Sequence, residues 1–172
     1  DNYSFCVAAS VYRNSWFSVE GLKGIVRTTR GAGAGTPLAD VMFALVMARV
    51  VHVLSQQIDE AGLAPTVSLA RDSHVKFRDI SYHDDLVLPI VAPASQLVDA
   101  TAKAASIVFY VFAMFGFSLN FTKGKTEAII VFAGPGSIKA RTDLFKSESS
   151  VPVDVKQRGI HLRFVPNYKH LG

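Results

Sequence analysis

Residues 104–122 are nineteen consecutive positions without a charged side chain, among them Ile107, Phe109, Phe112, Met114, Phe115 and Phe117. A run of that length has to be removed from water, either in a protein core or in a bilayer. Ser106, Ser118 and Asn120 interrupt it and Gly116 would break the middle of a span. With no second hydrophobic segment or aromatic belt expected beside it, the run reads as a core helix followed by a strand. The reading it displaces is a small membrane-associated protein anchored by residues 104–122.

Composition agrees with a chain that builds a core. The 172 residues suit one domain, and a 49% hydrophobic, 19% charged composition excludes a disordered chain, because there is ample apolar surface to set against the cost of ordering. The single cysteine, Cys6, excludes an internal disulfide and a cysteine-rich zinc site, and fits a reducing, intracellular setting. Net charge is +4, unevenly spread: residues 1–120 carry nine Lys/Arg and ten Asp/Glu, residues 121–172 nine and four. A C-terminal basic excess suits a polyanionic partner and equally a solvating rim of lysines. Asp1 in place of a methionine, and a motif-like run stopping at Leu171-Gly172, lead us to expect a piece of a longer polypeptide.

Local patterning predicts the elements. Trp16, Phe17 and Val19, then Ile25 and Val26, separated by Gly21 and Gly24, read as two short strands around a turn. From Pro37, a favoured first helical residue, Leu38, Val41, Met42, Leu45, Val46, Val50, Val53 and Leu54 recur at helical spacing to about Ala61-Gly62. Residues 74–80 alternate and 86–91 form a short apolar run, predicting a hairpin with Tyr82-His83-Asp84-Asp85 at its tip. A helix over 95–116 ending at Gly116, a strand over 127–132, a break at Gly134-Pro135-Gly136 and an alternating strand over 158–164 follow. The order β-α-β-β-α-β predicts an α+β domain, an antiparallel sheet with helices packed on one face.

Two local motifs carry chemistry. The loop Gly31-Ala32-Gly33-Ala34-Gly35-Thr36-Pro37 follows a predicted strand and opens a helix, where backbone N–H groups can approach a phosphate. Gly35 follows Gly33 by two residues rather than three, which excludes a dinucleotide fingerprint. The Gly-Lys-Thr at 124–126 has Leu119 where a Walker loop needs glycine. A backbone platform for a nucleotide or nucleic acid and a plain flexible turn both remain. At Tyr82-His83-Asp84-Asp85, two adjacent carboxylates repel one another and gain from proximity when a cation such as Mg²⁺ neutralises them; an exposed Asp-Asp turn is the alternative. His52, His74, His161 and His170 form no HExxH or paired pattern, and no GxSxG occurs.

In combination and order, Gly31-x3-Gly35-x-Pro37-Leu38-x4-Phe43, then Tyr82-His83-Asp84-Asp85, then Gly116-Phe117-x-Leu119-Asn120 with Lys125-Thr126-Glu127, then Tyr168-Lys169-His170-Leu171-Gly172 resemble the reverse transcriptases of non-LTR (LINE-type) retrotransposons. These runs correspond to the palm motifs B, C, D and E, from about Trp16 to the end of the chain. The resemblance implies a polymerase palm, with residues 1–36 the end of the fingers/palm junction, 37–150 the palm core and 151–172 a C-terminal strand with a primer-grip-like turn. It implies an RNA-directed DNA polymerase using an RNA template, a DNA primer and deoxynucleoside triphosphates, with no membrane partner. Asp84 and Asp85 would hold Mg²⁺ (or Mn²⁺), Tyr82 would lie under the primer terminus, and Gly35 and Pro37 would let template and nucleotide lie against backbone. Lys125, with Lys123 near it, would be the proton donor or charge partner of pyrophosphate.

The departures are specific. Ala34 stands where the family often has Gln, Gly33 where a polar residue is common, Ala39 at a usual Ser, and His83 at a usual Ala between Tyr and Asp-Asp. Motif A, which supplies a further metal-binding aspartate, is missing: Asp1 has Cys6 where the family's aromatic follows. These 172 residues alone are therefore expected to be inactive. A catalytically inactive palm retained for nucleic-acid binding or as a scaffold is the alternative.

Overall fold

The computed structural model describes residues 16–18, 20–21, 23–27, 37–68, 73–82, 85–146, 149–154 and 159–166, together with Cys6. The chain divides into two units, residues 1–47 and 48–172. In the first, β1 (Trp16–Ser18) pairs antiparallel with β2 (Ile25–Arg27), Phe17 opposite Val26, which is the expected pair of short strands. Gly21, at φ +88°, lies in the turn between them.

Helix α1 (Pro37–Glu60) begins at the predicted proline and runs from the first unit into the second. Within the second unit it presents Val50, Leu54 and Ile58, one turn apart and fully buried. It ends in a Schellman motif, in which the Leu63 N–H donates to the Ile58 carbonyl at 3.0 Å and the Gly62 N–H to Asp59 at 3.0 Å, with Gly62 at φ +69°. Helix α2 (Leu97–Met114) ends the same way: Phe117 N–H to Phe112 at 3.0 Å, Gly116 N–H to Ala113 at 3.0 Å, and Gly116 at φ +81°. The apolar contact that accompanies this cap is Phe112 on Phe117, ring centroids 6.1 Å apart. The uncharged run is thus split by its glycine into the expected helix and a segment, residues 117–122, that forms no strand where the sequence led us to expect one.

Residues 74–80 behave differently from the expected single strand. Strand β3 (Thr66–Ser68) pairs with β4 (His74–Lys76), and the Phe77 N–H donates to the Pro65 carbonyl at 2.9 Å. Strand β5 (Ile80–Tyr82) then pairs with β6 (Asp85–Val87), giving the expected hairpin in a shorter form. Its second strand stops at Val87 rather than Val91; Pro89, without an N–H, cannot extend the ladder.

The C-terminal third holds a three-stranded sheet in the order β7 (Glu127–Ile129), β9 (Ile160–Val165), β8 (Ser150–Asp154). The central strand β9 runs antiparallel to β8 and parallel to β7, with residues 130–159 as the crossover that a parallel pair requires. Pro152 and a register shift lie in β8, which is an edge strand, where a missing donor is tolerated. Helix α3 (Ser137–Lys146), unassigned in the sequence, follows the Gly134-Pro135-Gly136 break. Its only buried residue is Leu144, too little periodicity to read in advance.

Ile130, Leu144 and Phe164 form the core here, with Leu97 and Val98 of α2, Phe145 of α3 and Val151 of β8 against them. Helix α2 is further tied to the sheet by the Ser106 hydroxyl, which donates to the Val153 carbonyl. Among the described residues the architecture is mixed α and β, with small antiparallel sheets and three helices, compatible with α+β. Among the described residues there are, in place of one antiparallel sheet, three two-stranded pairs and one mixed sheet. Two helices, over Ala39–Glu60 and Leu97–Met114, are long and apolar enough to cross a membrane by length and composition, so the absence of a second hydrophobic segment expected from the sequence does not hold.

Candidate active site

The acidic hairpin is built by local pairing. Tyr82 is opposite Asp85, Ser81 opposite Leu86 and Ile80 opposite Val87, so only His83 and Asp84 lie between the paired strands. A two-residue connection is the shortest that an antiparallel pair commonly uses. Asp84 and His83 lie outside the described residues, as do Gly35, the rest of the Gly31–Thr36 loop, and Tyr168-Lys169-His170-Leu171-Gly172. Tyr82 closes β5, Asp85 opens β6 with its carboxylate exposed, and Pro37 is the first residue of α1. The fold therefore brings Tyr82 and Asp85 together; Pro37 belongs to the helix that begins in the other unit.

What holds the approach to this hairpin is a polar anchorage that the sequence did not announce. Asp59, near the end of α1, pairs with Arg78 Nη2 at 3.1 Å and Lys76 Nζ at 3.5 Å, and the Ser55 hydroxyl donates to Asp79 Oδ1 at 3.1 Å. One helical turn separates Ser55 from Asp59, so both act from one side of α1 on the residues immediately before β5. Arg78 and Asp79 are held through their side chains, beyond the last backbone bond of the β3–β4 pair at Phe77. The only signal for this in the sequence is the density of charge at 76–79, which is indistinguishable there from a solvated strand.

Lys125 sits on a separate, well-defined turn between α2 and β7. The Lys125 N–H donates to the Thr122 carbonyl at 3.1 Å, and Gly124, the third residue of this turn, has φ +79°, the requirement of a type II turn. Asn120 Oδ1 accepts from the Thr122 N–H at 3.0 Å and the Thr122 hydroxyl at 2.7 Å, while Glu127 Oε1 accepts from the Gly124 N–H at 2.9 Å. Asn120 and Glu127, which flank the lysine in the sequence motif, thus close the turn from both ends. Lys123 and Lys125 are both exposed on it, and among the described residues neither is ion-paired.

Among the described residues no three His, Cys, Asp or Glu side chains gather into a metal-binding group. The donor chemistry at the hairpin nonetheless fits Mg²⁺: Asp85 offers an exposed carboxylate, a hard oxygen ligand, and Mg²⁺ is commonly held by one or two carboxylates with waters and substrate phosphates completing the shell. No family model, curated protein or solved structure matches the chain.

Proposed function

We propose that the chain is the palm-centred part of an RNA-directed DNA polymerase of the non-LTR retrotransposon type. The observation that carries the reading is the Tyr82–Asp85 register, because it gives the Tyr-His-Asp-Asp run the hairpin form that this chemistry needs. Supporting it are a helix that starts at Pro37 directly after the glycine loop and a lysine turn fixed by Asn120 and Glu127. The palm architecture belongs to the same proposal.

In this reading Asp84 and Asp85 hold Mg²⁺ or Mn²⁺ at the hairpin. The bound metal supplies a lowered pKa at the primer 3′-hydroxyl and charge neutralisation at the phosphorus. Tyr82 supports the primer terminus, and Gly35 and Pro37 keep the start of α1 free of bulk where template and nucleotide lie. Lys125 holds a proton or positive charge against the departing pyrophosphate. The partners are an RNA template, a DNA primer and deoxynucleoside triphosphates.

Primer extension on an RNA template, by the polypeptide that carries these residues together with a motif A aspartate, tests the reading. Asp84→Asn is expected to lower extension by about 10³-fold, the order of the several kcal/mol that a metal supplies to transition-state charge. A folded native polypeptide that binds template and primer but never extends would instead support an inactive palm kept for nucleic-acid binding, the reading favoured by the His83 and Ala34 departures.

A further inference from the structure

Helix α3 lies outside every motif used above, yet it carries a basic, partly apolar hollow. A cavity of about 380 Å³ is lined by Arg141, Thr142, Phe145 and Lys146 of the helix and by Pro166, just after β9. It is a wide-open depression of the surface rather than an enclosed pocket, so a ligand there lies against it and stays in contact with solvent. Arg141 with Phe145, and Thr142 with Lys146, are four residues apart, so the helix itself puts them on one stripe. Asp143, the one carboxylate on α3, is not in the lining, and among the described residues neither Arg141 nor Lys146 is ion-paired. The hollow lies toward the C-terminal end of the helix, whose free carbonyls carry partial negative charge, so an anion there depends on the two side-chain cations.

We propose that this cavity takes one nucleotide unit of a single nucleic-acid strand. Arg141 and Lys146 hold the phosphate, Arg141 with the planar fork that suits phosphate oxygens, and the Thr142 hydroxyl donates to a phosphate or sugar oxygen. Phe145 and Pro166 form the apolar wall for the base. Phe145 is also packed against the Ile130–Leu144–Phe164 core, so its ring is already fixed and little freedom is lost on stacking. A carboxylate-bearing peptide would use the cations and leave this wall unfilled. The site uses none of the hairpin residues and does not depend on the polymerase reading.

The test is fluorescence anisotropy of a labelled single-stranded oligouridylate with the 172-residue chain, in chelator and without nucleotides. Arg141→Ala/Lys146→Ala is expected to weaken binding about tenfold or more at low salt. It should also make the plot of log affinity against log salt shallower by about 1.4, the release expected for two contacts to a single strand. Phe145→Leu, which keeps the core apolar, should cost a few-fold with the salt slope unchanged. Lys139→Ala, on the same helix but outside the lining, is expected to cost less than either cavity cation singly. Circular dichroism and a thermal melt confirm that each variant is folded. Unchanged affinity and slope in the folded double variant, equal losses from Lys139→Ala, or polyglutamate competing as well as oligonucleotide would each overturn the proposal. Because binding is read without divalent cation, it can fail while primer extension succeeds, or succeed while extension fails.

Discussion

The C-terminal sheet and the acidic hairpin are both built from short strands, but different forces hold them. Strand β9 has a partner on each side and drives Leu162 and Phe164 into the core, where Phe164 meets Ile130 and Leu144. The β5–β6 hairpin leaves Ile80 and Val87 exposed and is approached through the ties from Ser55 and Asp59 to residues 76–79. Burial is non-directional and large, whereas exposed ion pairs are weak and screened by salt. The region with the candidate chemistry is therefore the more easily opened of the two, in keeping with the way binding and catalytic segments are drawn from the less stable parts of a fold.

Three substitutions report on the two regions separately. Phe164→Ala in the core is expected to destabilise the protein by about 3–5 kcal/mol in chemical denaturation, through lost burial and the cavity left behind. An effect below about 1 kcal/mol would mean that the sheet is not the stability centre. Gly116→Ala, at the cap of the helix packed on that sheet, should cost about 1–2 kcal/mol. An added Cβ meets nothing within 4 Å there, so the penalty is that of φ +81° alone. Asp59→Asn should cost about 0.5–1 kcal/mol, a difference that shrinks in high salt, because Lys76 and Arg78 are 53% and 54% exposed. A loss as large as that of Phe164→Ala, and insensitive to salt, would show that the hairpin approach is part of the core.

The same contrast separates what could be read along the chain. The hairpin around Tyr82–Asp85, the start of α1 at Pro37 and the end of α2 at Gly116 were all legible, because pairing across two residues, a proline at the first turn and a glycine cap act over a handful of neighbours. The partner of residues 74–76 was not. An alternating strand pairs equally well with either flanking segment until Asp59 and Ser55, some twenty residues away, take hold of 76–79. Helix α3 was illegible for a related reason: a helix with one buried side chain has almost no periodic signal of its own.

The long helices, the two hairpins at 16–27 and 80–87, and the meeting of Tyr82 with Asp85 across the second of them follow from the sequence. These follow from turn chemistry, capping and apolar period, which are local. Long-range packing set the parallel run of β7 and β9, the single core that α3 and α2 share with that sheet, and the meeting of Arg141, Lys146, Phe145 and Pro166 around one hollow. Those outcomes depend on which distant faces are buried together, and no short window of residues records that choice.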